Sequence, residues 1–271
     1  MKKIFLSLAL IVLLIILLYF SYNFLYLRYK TNVEAEKIEA ELENYEKSPF
    51  LIEKEAIFNS ASARNNTDNK KFDENNWLFT LLQYTDIAIY IKPVDKKLTS
   101  ANTIKSLYID NIKIDSSDKI LSSNLYFLDA QNFGTDIYKD SDLIEEKLEY
   151  TVLNDKNKNN IIKTNTPVFF SDSSNPITLK VVNTIDNNFK LSTNEFYSFN
   201  SKILDKYIEQ NEFDIKNIDY KISFDINITS NDNVNYSYPI QITNNYSSLD
   251  FDKGYNLEVK NNFTINKFIE K

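Results

Sequence analysis

The chain has 271 residues, a formal net charge of -7, no cysteine, no histidine and only two glycines, Gly134 and Gly254. Without Cys there are no disulfides, thiol chemistry or lipid-modified cysteine, and without His the commonest general base and zinc ligand are gone. Two isolated glycines write neither a phosphate-cradling loop nor a G-x-S-x-G elbow, and the acidic balance argues against nucleic acid, so no nucleotide, cofactor or metal is expected.

Behind Met1, Lys2 and Lys3, the run from Ile4 to Leu27 carries no charge. It has the length that a helix needs to cross a hydrocarbon core of about 30 Å. Its apolar core leads into Tyr19, Phe20, Ser21, Tyr22 and Asn23 and not into a small-residue cleavage site, so residues 4–27 are expected to stay as a transmembrane signal anchor embedded in the bilayer. A tail of residues 1–3 holds no cytoplasmic domain. The expected orientation is therefore N-terminus inside, with Tyr19, Tyr22 and Tyr26 at the outer headgroups and the bulk of the chain outside the plasma membrane.

Residues 28–48 are rich in Glu, Lys and Ala and carry Glu43 and Lys47 at i,i+4 spacing, which predicts a helical stalk. Ser48-Pro49 ends it, because the residue before proline is pushed out of helical geometry.

Beyond Pro49 the period becomes two. Ile218, Tyr220, Ile222, Phe224, Ile226 and Ile228 alternate with polar residues throughout, and Val234, Tyr236, Tyr238, Ile240 and Ile242 repeat the pattern. Both sets are even-numbered, so the spacing predicts a hairpin with Ile228 opposite Val234 around a five-residue loop. Pro239, lacking a donor, belongs at an edge or a non-bonding position. Tyr255, Leu257, Val259, Phe263 and Ile265 give another strand. Further strands are predicted over Trp77–Ile91, Ile104–Ile114, Leu125–Leu128, Tyr150–Leu153, Pro167–Phe170 and Ile177–Ile185. In the second of these the apolar parity switches after Ile109, which places a bulge near Asp110 or Asn111. Short helices are predicted where Asp142 and Glu145 have capping-box spacing and where Ser201 precedes Ile203, Leu204, Tyr207 and Ile208.

Strands joined by polar turns, without alternating long helices, give an all-β class: antiparallel β-sandwich, Ig-like or jelly-roll-like, one large or two small. The best division falls in Asn154–Asn165, between a first β region over 49–155 and a second over 166–271.

Several motifs resemble chemistry and read better as turns. Asp155, Asn157 and Asn159 have the opening spacing of a calcium loop, but Asn160 stands where glycine is required and Thr166 where the bidentate Glu is required. Asn231-Asp232-Asn233 reads the same way. Ser116 and Lys119 have the S-x-x-K spacing without its companion motifs. The carboxylates that a hydrolase would need are available in Asp225 and Glu258, each on the polar face of a different strand. Ser171–Pro176 is dense in short polar side chains, and Trp77 with Tyr84 or Tyr90 offers rings to stack on a sugar. None is assigned as a catalytic, cofactor-binding or metal residue.

The excess of Asn, Ile, Lys, Tyr and Phe over Gly, Ala, Pro and Arg matches A/T-rich codons, as in a low-GC bacterium. The expected role is non-enzymatic: binding or envelope assembly by a membrane-anchored extracellular β-sandwich, with protein partners in the membrane or cell envelope. The order of basic leader, apolar helix, outward helix and sheet over residues 1–50 is similar to that of type IV pilins and pseudopilins. That resemblance implies a filament subunit, although no glycine precedes the helix and no Glu follows near its start. An envelope carbohydrate-active enzyme using carboxylates is the remaining alternative.

Overall fold

Strands make up nearly all the regular structure in the computed structural model, which describes residues 48–65, 76–153, 167–170, 176–192, 218–244, 255–261 and 267–270, with 207, 209–211 and 214 besides. The expected anchor over 4–27, the stalk over 28–47, the segment Asn154–Asn165 with its calcium-like loop, and the polar run 171–175 lie outside the described residues. Among the described residues no helix is long and apolar enough to cross a membrane.

The strands are β1 (Phe50–Asn65), β2 (Asn76–Pro93), β3 (Ile104–Ser116), β4 (Ser122–Phe127), β5 (Leu148–Leu153), β6 (Val168–Phe170), β7 (Ile177–Ser192), β8 (Tyr220–Ser230), β9 (Asn235–Asn244), β10 (Tyr255–Asn261) and β11 (Ile269–Glu270). A first sheet runs β10-β1-β2-β7-β4 and a second β11-β9-β8-β3-β5-β6. Pairing is antiparallel except between β5 and β6, which run parallel. The result is sandwich-like, with one core contributed by both sheets: Ile57, Ile87, Ile89 and Leu179 from the first, Ile109, Phe224, Ile226 and Ile228 from the second. Each such side chain contributes about 1.5–3 kcal/mol by leaving water.

The two β regions, 49–155 and 166–271, do not close separately. Both sheets take strands from each side of 154–165, and residues from Ser48 to Lys271 form one unit. A polar stretch marks where the chain meets water, which is a weaker condition than where the core divides.

The alternation on β8 and β9 is preserved, but the hairpin register differs by two from the expected one. Ile228 faces Tyr236, and Ser230 N–H donates to Val234 C=O at 2.9 Å. The loop is therefore Asn231–Asn233, with Asn233 at φ 67°. Asn tolerates this left-handed conformation, which lets a three-residue connection close where five residues were expected. Beyond the stretch that β11 pairs, Tyr236 and Ser237, lies Pro239. The parity switch in β3 is a real bulge: the register with β8 shifts between Asp110 and Lys113, and Asn111 sits at φ 53°.

Two further elements depart from the sequence pattern. Strand β1, which the apolar periodicity does not single out, has a register shift between Ile52 and Lys54 that breaks its alternation, and it turns the polar Asn59 inward. The capping-box spacing at Asp142 yields only a 3-10 turn at Asp140–Asp142. Helix growth stops there because Leu143 bridges Tyr126 and Ile144 N–H donates to Leu125 C=O at 2.8 Å, so pairing with β4 takes the backbone groups that a helix would use. Of the expected helix after Ser201, Tyr207 and residues 209–211 are helical, with Tyr207 packed edge-on to Phe189 at 5.4 Å; the remainder lies outside the described residues.

A buried polar network ties the two sheets together inside this core. Asn59 Oδ1 accepts from Thr85 Oγ1 and from Asn244 Nδ2, each at 2.6 Å, and the Asn244 amide also reaches Thr85 Oγ1 at 2.8 Å and Tyr220 OH at 3.3 Å. Beside it, Asn183 Nδ2 donates to Gln83 Oε1 at 2.8 Å, and Gln83 Nε2 reaches Ile218 C=O at 3.3 Å.

Burial also sets the alkaline limit of the fold. It holds the hydroxyls of Tyr84 and Tyr207 up at about 12 and raises those of Tyr150 and Tyr220 as well. The folded chain then keeps phenolic protons that the unfolded chain releases near pH 10, so stability falls as pH rises through that value, by up to about 1.4 kcal/mol per pH unit for each such tyrosine. Tyrosinate absorbance is expected to appear in two stages, exposed rings first and a cooperative step on unfolding. A single smooth titration of all 18 tyrosines, with the far-ultraviolet signal unchanged, would contradict this.

Candidate functional site

The connection from β4 to β5, residues 128–147, crosses the outer face of the first sheet as a strap. Along the chain, Thr178 Oγ1 donates to Leu128 C=O, and Asp129 caps a 3-10 turn at Ala130–Asn132. The strap then packs Phe133 near Phe58, ring centroids 6.2 Å apart, and reaches Gly134, whose φ of 81° suits glycine. Tyr138 closes the far side against Tyr126 at 4.8 Å and Tyr84 at 6.2 Å. Arg64 braces it, donating to Asp136 C=O at 2.9 Å and stacking over the Tyr138 ring at 4.2 Å.

Beneath the strap lies a buried ion pair. Asp86 on β2 and Lys180 on β7 are direct register partners, and their side chains are 1% and 0% exposed. Lys180 Nζ donates to Asp86 Oδ1 and, at 2.7 Å, to Thr135 C=O; Asp86 Oδ2 accepts Gly134 N–H at 2.7 Å. The Tyr84 ring lies 5.2 Å from the ammonium and its hydroxyl accepts from Ser62 Oγ at 3.2 Å. Burial pushes the Asp86 carboxyl up and the Lys180 amine down, and each partner's charge acts against that shift. Both residues are lone charges in apolar strand runs, Asp86 ahead of Ile87-Ala88-Ile89 and Lys180 between Leu179 and Val181. That signal was present in the sequence, but pairing the two required the register.

The other side of the same strap forms the wall of a groove of about 840 Å³, open between the β4 edge of one sheet and the β5–β6 edge of the other. Phe127, Tyr150 and Phe170 give it aromatic walls, and Asp129, Lys139 and Asp142 give it a mixed-charge rim. Tyr150 is buried and its hydroxyl finds no hydrogen-bond partner among the described residues.

The residues singled out by sequence do not converge. Asp225 lies on the outer face of the second sheet, where its Oδ2 accepts from Asn111 at 2.8 Å, whereas Glu258 is on β10 at the edge of the first. The two carboxylates thus belong to different sheets. Ser116 ends β3, and Ile120 N–H donates to Ser117 C=O at 3.0 Å, so Ser116–Lys119 runs into a turn with no helix. Asn231–Asn233 forms the hairpin loop, with Asn233 Oδ1 accepting from Lys105 at 2.6 Å. Of the three candidate rings, Trp77 packs against the core, Tyr84 is closed under the strap, and Tyr90 lies on the outer face with Lys54 above it at 5.1 Å. Among the described residues no group of acidic side chains is arranged to hold a metal ion. Compared with known proteins, the chain matches no family model, no curated protein and no solved structure.

Proposed function

We propose that this chain is a single-pass membrane protein, anchored by residues 4–27 with its N-terminus in the cytoplasm, that presents a β-sandwich outside the plasma membrane and binds a protein partner of the cell envelope through the groove beside the strap. The observation that carries the reading is the Tyr150 hydroxyl, buried beside the groove without a partner among the described residues. A buried hydroxyl left without a hydrogen bond costs about 1–3 kcal/mol, a cost that is offset when a ligand entering the groove displaces the cover over the ring and supplies the bond. The groove also runs beside β4 and β6, the outermost described strands on that side of each sheet, and an extended polypeptide segment pairs with such edges through backbone hydrogen bonds. The separation of Asp225 from Glu258 into different sheets favours binding over carboxylate hydrolysis.

Site-specific photocrosslinking in native membranes tests this. A photoreactive residue at Ala130, on the groove wall, is expected to capture one protein that the same residue at Lys221, on the outer face of the second sheet, does not. Capture of nothing from Ala130, or of the same products from both positions, would overturn the proposal. A C-terminal reporter active only outside the cytoplasm is expected to be active on the full chain.

A further inference from the structure

The Asp86–Lys180 pair is poorly explained as a device for stability alone. Taking two opposite charges out of water costs several kcal/mol per ion, and replacing such a pair by apolar residues is often neutral or stabilising. Its surroundings, however, are arranged for a reaction between the two groups. The amine and the carboxyl are in contact, sealed by Gly134, Thr135 and the Tyr84 ring, with side chains 0% and 1% exposed. In that sealed site the neutral amine and neutral acid, which are the reactive forms, are reached by moving one proton along the hydrogen bond that already joins them.

We propose that Lys180 and Asp86 condense to an isopeptide bond that staples β2 to β7. The Lys180 Nζ lone pair attacks Asp86 Cγ and forms the C–N bond. Negative charge develops on Oδ2, where Gly134 N–H already donates at 2.7 Å in the manner of an oxyanion donor. The Cγ–Oδ1 bond then breaks, and Oδ1 leaves as water with two protons, one from the acid and one from the nitrogen. Amine plus acid gives amide plus water, with no oxidant, reductant or cofactor.

The product fits without rearranging the strap. The amide oxygen keeps Gly134 N–H, and the single remaining amide N–H keeps Thr135 C=O, at 2.7 Å before reaction, so no polar group is stranded and two buried charges disappear. Holding the two groups in contact makes the attack unimolecular and lowers its barrier, since effective molarities for well-oriented groups reach about 10⁵–10⁸ M, while the loss of two buried charges and the escape of the released water favour the amide. In a chain with no cysteine, this bond would do what a disulfide does elsewhere, linking residues 94 apart across neighbouring strands.

The test is a peptide map of the full chain, purified from membranes, denatured and digested with trypsin. Wild type is expected to give a branched peptide that carries Asp86 and Lys180, with the summed mass of its two arms less one water and no cleavage after Lys180. Asp86→Ala and Lys180→Arg are each expected to lack it. Cleavage after Lys180 with only linear peptides from wild type would overturn the proposal, and so would a branched peptide at Lys180 that persists in Asp86→Ala. The presence or absence of the branched peptide is read on denatured wild-type protein, so a folding defect in either variant does not obscure it.

Discussion

Asp86→Ala is expected to be among the most damaging single substitutions in this protein, lowering the free energy of unfolding by at least about 3–5 kcal/mol. The change leaves the Lys180 ammonium buried without its counter-charge, and Gly134 N–H loses its acceptor. For a unit of this size such a loss is a fall in Tm of roughly 10 °C, readable by circular dichroism on the full chain. The double variant Asp86→Leu/Lys180→Met separates the contributions. It restores the part caused by the stranded charge, because an apolar pair carries no desolvation penalty. What it leaves unrestored is the bond of Gly134 N–H to Asp86 and of Thr135 C=O to Lys180, about 1–3 kcal/mol each, and the closure of the segment between residues 94 apart, about 4–5 kcal/mol on a chain-entropy account of a cross-link that long. Full recovery in the double variant would mean that the pair is ionic only. Because the strap that this pair holds is also a wall of the groove, Asp86→Ala is further expected to weaken crosslinking from Ala130.

The second large effect is expected at Asn59. Its side-chain oxygen is the shared acceptor for the Thr85 hydroxyl and the Asn244 amide, in a site where all three residues are buried. Asn59→Ala removes that acceptor and opens a small void between the sheets, at a cost of about 2–4 kcal/mol. Removing the polar groups together is expected to cost less than removing one. The quadruple variant Asn59→Leu/Thr85→Val/Tyr220→Phe/Asn244→Leu should therefore lie closer to wild type in urea unfolding than Asn59→Ala does, since a half-satisfied network is worse than an apolar core. A single variant within about 0.5 kcal/mol of wild type would show that the network contributes little.

How much of this was legible in the chain differs from strand to strand. β8 and the residues just before it carry six alternating apolar side chains from Ile218 to Ile228, and such a strand declares its period, its buried face and its partner's parity. The bulge at Asn111 was equally open to reading, because a parity switch inside one strand requires an extra residue on that strand. β1 was not legible: the shift after Ile52 breaks its alternation, and its inward Asn59 looks like a solvated residue until Thr85 and Asn244 are placed against it. The hairpin loop is shorter than its sequence pattern predicts because parity fixes a register only to within two residues, and the left-handed Asn233 settles the choice.

The candidate site divides along the same line. Asp86 and Lys180 each interrupt an apolar run, which marks them as residues that need partners, but their partnership follows from β2 lying beside β7, strands far apart in the chain. The Tyr150 hydroxyl and the groove could not be read from sequence at all, since they depend on where two sheet edges stop.

By itself, the sequence determined the all-β class, the faces of the best-patterned strands and the absence of thiol, imidazole and Gly-loop chemistry. Those follow from local period and from residue types, which need no neighbour. Tertiary structure decided that the strands on either side of 154–165 interleave into two shared sheets, that Asp225 and Glu258 stay apart, and that Asp86 meets Lys180 under a strap. Each of these depends on which strands pair, and pairing is set by burial summed over the whole core.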